Sequence, residues 1–252
     1  MILSSKRGRL APDQAQLNAL SPGAQYGLGL FETLRTWPGG KFFLAQEHLR
    51  RLYQSAEELG IHFQVTQMRA MELLESMAGS NSSSLRIKIM GLEGELIFIS
   101  EILHEDPELI DGVRLLPVDQ TRSLPQYKSL NYLDCLLAWN QAHEAGCFDA
   151  ILIDQLGYCR ETSRANLFWV RGGQIYSNQE KSLPGITQSF LFAHAPRKVQ
   201  PSQIQLAGLR AVDEIFITNS IRGVLPVKQI QDQNFALGPI TREIMDFYQS
   251  SL

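Results

Sequence analysis

Short extended segments, broken by glycine and proline turns, alternate with amphipathic helical stretches along this chain, and they keep no βαβ rhythm. A doubly wound parallel sheet needs that rhythm, so the irregular mixture predicts an α+β fold. Gly29 to Arg35 reads as a strand with Phe31, Thr33 and Arg35 on one face, and Lys41 to Leu44 is its hairpin partner across Pro38-Gly39-Gly40. Leu49, Leu52, Tyr53, Ala56 and Leu59 recur at helical spacing between Gln46 and Gly60, and Gly60 suits a helix C-terminus. A second helix is predicted over Thr66 to Ser80, then a strand pair, Ser84–Met90 and Glu95–Glu101.

The later part mixes types in the same way. Gly112–Val118 is strand-like, and Asn131–Ala145 is an amphipathic helix. Asp149–Asp154, the stretch from Cys159, Leu167–Arg171 and Gln174–Tyr176 are short strands. Ile186–Ala195 and Thr241–Gln249 read as helices, with strands at Glu214–Thr218 and Val224–Gln229 between them. The polar, proline-broken stretch around Asp119 to Tyr127 is the natural crossing between two domains. The expected division is 1–118, a linker at 119–125, and 126–252.

Composition narrows the function. The chain has 252 residues and a net charge of −3, which gives no broad electrostatic footprint for nucleic acid or an anionic membrane. No run approaches the ~20 apolar residues of a membrane span. Lys6, Arg7 and Arg9 precede no apolar stretch, so the N-terminus is not read as a signal peptide. Cys135, Cys147 and Cys159 form no CxxC and cannot all pair, which fits a reducing, cytoplasmic setting. Gly27-Leu28-Gly29 starts like a dinucleotide fingerprint, but Glu32 stands where the third glycine belongs and a strand follows. There is no Walker A loop, no GxSxG and no HExxH, and the five histidines are scattered, so no metal site is expected.

Four separated segments stand out together. They are Phe31-Glu32-Thr33-x-Arg35 with His48-Leu49-Arg50-Arg51-Leu52; Lys128-Ser129-Leu130-Asn131-Tyr132; Glu161-Thr162-Ser163-x-x-Asn166-Leu167-Phe168 with Leu183-Pro184-Gly185-Ile186-Thr187; and Thr218-Asn219-Ser220 with Pro226-Val227. In order and spacing this set resembles the class IV aminotransferases, the fold-type IV pyridoxal 5'-phosphate (PLP) enzymes, from about Tyr26 to Val227. Branched-chain aminotransferase, D-amino-acid aminotransferase and 4-amino-4-deoxychorismate lyase are members. The resemblance implies a two-domain α+β enzyme with PLP in the inter-domain cleft, acting on a small molecule as a homodimer.

The resemblance also implies roles. Lys128 matches the Schiff-base lysine; taken alone it reads as a solvated linker lysine. Glu161 matches the acid that keeps the pyridine nitrogen protonated; taken alone it is a surface carboxylate paired with Arg160 or Arg164. Arg51, the amides at Ile186 and Thr187, and the Ser220 hydroxyl match phosphate ligands. Tyr132 lies near a position where relatives place a hydroxyl on the cofactor ring; a core tyrosine at a helix start is the other reading. Phe31, Thr33 and Arg35 fall where relatives line the substrate pocket, with Arg35 either a carboxylate clamp or half of an edge salt bridge. D-amino-acid aminotransferases and many lyases carry Arg-Gly where this chain has Met90-Gly91, which leaves Arg86, Lys88 and Arg164 as substitutes.

Within the family, Asn219-Ser220-x-x-Gly223-Val224-x-Pro226-Val227 and Ala165-Asn166-Leu167-Phe168-Trp169 look like the lyase branch. The implied activity is conversion of 4-amino-4-deoxychorismate to 4-aminobenzoate and pyruvate in folate biosynthesis, with Asn219 hydrogen-bonding substrate. The alternative is aminotransfer from branched-chain or D-amino acids to 2-oxoglutarate.

Overall fold

The computed structural model describes residues 1–79 and 81–252, and the chain divides into two compact units. Unit 1 comprises Met1–Glu105 with Tyr127–Asn131, and unit 2 comprises Asp106–Gln126 with Tyr132–Leu252.

Unit 1 is an antiparallel sheet backed by helices. Its strands are β1 (Ile2–Ser4), β2 (Gly8–Leu10), β3 (Leu30–Trp37), β4 (Lys41–Phe42), β5 (Leu85–Leu92) and β6 (Glu95–Ile102), in the order β2-β1-β6-β5-β3-β4. Its helices are the short α1 (Pro22–Tyr26), α2 (Ala45–Glu58) and α3 (Gln67–Ala78). Leu49, Leu52 and Ala56 of α2 and Ala70, Leu74 and Met77 of α3 pack on Leu30, Leu34, Ile87 and Ile89 of the sheet. Gly60 takes φ +67, and the amide of Ile61 returns to the Ala56 carbonyl, so α2 stops where the sequence places its end. The Thr66 hydroxyl accepts from the Arg69 amide and starts α3. Ser80, the last residue of the predicted helix, lies outside the described residues.

Unit 2 holds a larger mixed sheet. Its elements are β7 (Val113–Asp119), α4 (Leu133–Glu144), β8 (Asp149–Ile153), β9 (Tyr158–Thr162), β10 (Asn166–Arg171), β11 (Gln174–Ser177), α5 (Ile186–His194), β12 (Val199–Pro201), β13 (Ile204–Gln205), β14 (Glu214–Asn219), β15 (Gly223–Ile230), β16 (Gln233–Asn234) and α6 (Pro239–Ser250). The strand order is β12-β11-β10-β14-β15-β7-β8-β9-β13, with β16 paired to β15. β7 and β8 run parallel, and α4 in the connection between them packs back on both. On another face, Phe168 stacks on Phe216 at 4.7 Å beneath α5.

The division differs from the expected one. β7 belongs to the second sheet, residues 119–125 lie inside unit 2, and the chain then returns to unit 1 for Tyr127–Asn131. The cause is backbone pairing that no local pattern reveals. The Phe31 amide donates to the Lys128 carbonyl and the Leu130 amide to the Gly29 carbonyl, each at 2.8 Å, around a Leu30–Ser129 bridge.

Gly29 makes that close approach feasible. A Cβ there would lie 2.6 Å from Leu130 Cδ1 and 2.9 Å from the Gly91 carbonyl oxygen. Gly29→Ala is therefore expected to cost about 1–3 kcal/mol of stability through overpacking, measured as a shift in the denaturant midpoint; an unchanged midpoint would contradict this packing.

Candidate active site

β3 carries chemistry on both faces. Leu30, Glu32, Leu34 and Thr36 alternate toward α2 and α3, and all four are buried. Glu32 thus puts a carboxylate into an apolar layer. It accepts from Arg51 Nε at 2.7 Å and Nη2 at 2.8 Å, and from His48 Nδ1 at 2.7 Å. His48 and Arg51 stand three apart on α2, so both reach the same spot. Burial alone would raise the Glu32 pKa, but Arg51 and His48 outweigh it and hold the carboxyl well below its ordinary range. Burial pushes His48 below its ordinary value against the pull of Glu32. The neutral ring therefore donates its Nδ1 proton to an ionised Glu32.

On the opposite face, the Lys128 ammonium lies 4.5 Å and that of Lys88 5.1 Å from the centroid of the Phe31 ring. Arg35 is also on this face. It is ion-paired with Glu105, donates to Ser84 Oγ at 3.3 Å, and lies 3.7 Å over the Trp37 ring. Arg35 thus adopts the salt-bridged alternative of the two weighed from sequence.

In unit 2, Glu161 is buried one residue before the end of β9. Its Oε2 accepts from the Leu183 amide at 3.2 Å, and its Oε1 lies 3.5 Å from Nη1 of the buried Arg122. The expected partners Arg160 and Arg164 are engaged elsewhere. Arg160 pairs with Asp154. Arg164 donates to the Phe148 carbonyl at 3.0 Å and covers the Trp139 ring at 4.6 Å. Arg122, which lies in the polar stretch read as a linker, is the cation that sequence reading missed. The Tyr132 hydroxyl donates to the Ser163 carbonyl at 2.5 Å, and burial raises its pKa. Buried Asp149 accepts from Thr162 Oγ1 at 2.8 Å and from Ser163 Oγ, and so fixes the turn that follows Glu161.

The Leu183-Pro184-Gly185 turn leads into α5. Asn166 Nδ2 donates to the Leu183 carbonyl at 2.9 Å, and a Cβ on Gly185 would lie 1.9 Å from Asn166 Oδ1. No side chain caps α5, so the first amides, at Ile186 and the buried Thr187, are left for another acceptor. Register pairs Asn166 with Thr218, whose buried hydroxyl has no hydrogen-bond partner among the described residues. After Thr218, Asn219 Oδ1 accepts from the amides of Ile221 (3.0 Å) and Arg222 (2.9 Å), which forms the turn that holds Ser220.

Taken unit by unit, these donors fit PLP. Lys128 is an amine of the kind its aldehyde takes, and Glu161 a carboxylate of the kind its pyridine nitrogen takes. The uncapped α5, the orphaned Thr218 hydroxyl, Ser220 and the Arg51 guanidinium are donors of the kind a phosphate dianion takes. Among the described residues, no group of three His, Cys, Asp or Glu side chains comes together to hold a metal ion.

A family model described as amino-transferase class IV matches residues 29–230. A protein of Methanocaldococcus jannaschii assigned as a branched-chain-amino-acid aminotransferase is 30% identical, over 93% of this chain and 91% of its own length. A D-alanine aminotransferase of Listeria monocytogenes is 27% identical, over 94% and 91%. The aminodeoxychorismate lyase of Bacillus subtilis is 25% identical, over 88% and 84%. Among solved structures, an aminotransferase of Mycobacterium tuberculosis in its PLP-bound form shares the fold, with a TM-score of 0.87 at 20% identity, covering 100% of this chain and 98% of that one.

The Glu32 cluster sets an acid limit on stability. The unfolded chain protonates His48 below its ordinary value of 6.5, while the folded ring resists. Stability is therefore expected to fall as pH drops through that value. Below 4.5, the ordinary value of Glu32, the unfolded carboxylate takes a proton that the folded one refuses, and the fall steepens. His48→Gln should flatten the upper part of the slope. At neutral pH, Glu32→Gln should cost about 3 kcal/mol or more, since it strips the counter-charge from a buried guanidinium. Denaturant unfolding across a pH series checks both.

Proposed function

The chain belongs to the class IV aminotransferase family of PLP-dependent enzymes, and from that membership we propose that it is a lyase that converts 4-amino-4-deoxychorismate to 4-aminobenzoate and pyruvate. One observation carries the choice within the family. The face of β3 and β5 beside Lys128 presents no uncommitted guanidinium: Arg35 is paired with Glu105, Arg86 is paired with Glu101 at 2.9 Å, and the β5 residue opposite Phe31 is Met90. An aminotransferase must grip the carboxylates of two substrates in turn, a task suited to the bidentate arginine fork. A lyase grips one substrate once. The resemblance of the Asn219-Ser220 and Asn166-Leu167-Phe168-Trp169 segments to the lyase branch supports the same reading.

Bound PLP supplies an electron sink for the charge left when the substrate loses a proton. Lys128 is the amine that holds the cofactor and then takes the proton from the ring carbon bearing the substrate's amino group. Glu161, ion-paired with Arg122, would hold a proton at the pyridine nitrogen. Within unit 2, the amides of Ile186 and Thr187 and the Ser220 hydroxyl would hold the phosphate, with Thr218 as a further donor; in unit 1, Arg51 is a donor of the same kind. Tyr132 stiffens the Glu161 turn through the Ser163 carbonyl. Phe31 and Thr33 wall the substrate side, and the side chains of Asn219 and Arg164 are the remaining candidates for substrate contact. The ring carbon–oxygen bond breaks, the enolpyruvyl group leaves and takes up a proton to become pyruvate, and the ring becomes aromatic, which drives the step.

The second reading, aminotransfer from branched-chain or D-amino acids, is favoured by the names of the Methanocaldococcus and Listeria relatives. We also propose a cytoplasmic homodimer. Leu133, Leu136 and Leu137 lie exposed on α4, an apolar row that a second copy would cover. The three cysteines are buried and form no disulfide, and no helix among the described residues is long and apolar enough to cross a membrane.

Borohydride reduction of the yellow protein should fix the label on Lys128. Lys128→Ala should abolish turnover, and Glu161→Ala should retain PLP but turn over slowly. A label on any other lysine would overturn the assignment. Pyruvate release from 4-amino-4-deoxychorismate, followed with a coupled dehydrogenase, supports the lyase; rapid glutamate formation from branched-chain or D-amino acids without pyruvate release supports the second reading. Sedimentation should give twice the chain mass, and Leu136→Glu with Leu137→Glu should shift it toward the monomer.

A further inference from the structure

We infer that Lys88 is the substrate's carboxylate anchor, a specificity-determining cation beside the reacting lysine. The inference rests on the reading of Lys128 as the reacting amine. Register places Phe31 opposite Met90, Thr33 opposite Lys88, and Arg35 opposite Arg86. Residues directly opposite in an antiparallel pair project to the same side, so these six side chains share one face. The other face carries the apolar layer under α2 and α3.

Three cations stand on this face of the two strands, and they are not treated alike. Arg35 has Glu105 and Arg86 has Glu101. Lys88 is half-buried, yet among the described residues it has no carboxylate partner and no hydrogen bond. Its one contact of this kind is the Phe31 ring, at 5.1 Å. Burial, and then Arg86, push its pKa down, so the ammonium is held there at a cost. A ligand anion would remove that cost. The neighbours across the sheet, Thr33 and Ile99, carry no charge, and the nearest acids on the face are committed to the arginines.

Position decides which anion. Lys88 and Lys128 both point at the Phe31 ring, at 5.1 and 4.5 Å. Both ammonium groups lie against one ring, so a molecule whose amine takes the place of the Lys128 amine and whose flat body rests on Phe31 has Lys88 within reach of a neighbouring anionic group. The ligand class is an amine that carries a carboxylate close to the reacting nitrogen. An ammonium grips it as a point charge, without the planar fork of an arginine. That tolerates a carboxylate on a ring or on a vinyl ether as readily as an α-carboxylate.

The test compares wild-type holoenzyme with Lys88→Gln and Lys88→Arg. The probes are benzoate, which has a carboxylate but no amine to react, and its uncharged isostere benzamide. Binding is followed by calorimetry and by the visible absorption of the lysine-bound cofactor. Benzoate affinity should fall ~10- to 100-fold in Lys88→Gln, as for loss of a charged hydrogen bond. It should recover to within a few-fold of wild type in Lys88→Arg, with benzamide binding alike in all three. With substrate, Lys88→Gln should raise KM far more than it lowers kcat. Equal benzoate affinity in wild type and Lys88→Gln, or no benzoate binding to wild type, overturns the inference. With the cofactor still reducible onto Lys128, that result leaves the proposed function standing. A wild-type protein whose borohydride label falls elsewhere than Lys128 removes the proposed function itself.

Discussion

Two backbone hydrogen bonds place Lys128. The Phe31 amide and the Leu130 amide tie the segment Tyr127–Asn131 to β3, each at 2.8 Å, and a side chain on Gly29 would force the strands apart. Without this short pairing the lysine would ride on a connecting stretch of unit 2, and the Phe31 face would lack its amine. β3 is thus a two-sided support. One face orders Arg51 through Glu32, and the other presents Phe31 to Lys128 and Lys88. A strand can do this because its side chains alternate, so one rigid backbone fixes both groups relative to each other.

The second unit solves a different problem, the placement of an acid where water is scarce. A buried carboxylate drifts toward its neutral form unless a cation or donors hold it charged. Glu161 has Arg122 and the Leu183 amide, and its following turn is locked by Asp149 through Thr162 and Ser163. Beside it, Asn166 fills the space above Gly185 and anchors the entry to α5. The polar residues of this region therefore form a framework in which few are idle, and the unpartnered hydroxyl of Thr218 stands out against it.

Much of the local structure was legible. The hairpin after Arg35, the stop at Gly60, the helix that begins about Thr66 and the helix after Gly185 follow from turn chemistry and spacing, which act within a few residues. The short β1 and β2 were missed because such brief strands have no period to detect. The return of Tyr127–Asn131 to unit 1 was missed because its hydrogen bonds join Gly29 and Phe31 to residues far along the chain. The partners of the site residues were the least visible. Arg122 looked like part of a linker, and only folding brings it to Glu161. Glu32 did leave a sign, a carboxylate between Leu30 and Leu34 with a His-x-x-Arg on the next helix, and the reading passed over it in favour of the Phe31 face.

Unit 1 is not one stretch of chain, and this bears on how such a protein is made and inherited. During synthesis all its strands can leave the ribosome by Glu105, but β3 lacks its last neighbour until Asn131 has followed. The face that will carry the lysine is thus completed only after β7 of the other unit has been made. The same threading resists exchange by recombination. A crossover that moves either unit as a single block of gene severs Lys128 from the sheet that holds it.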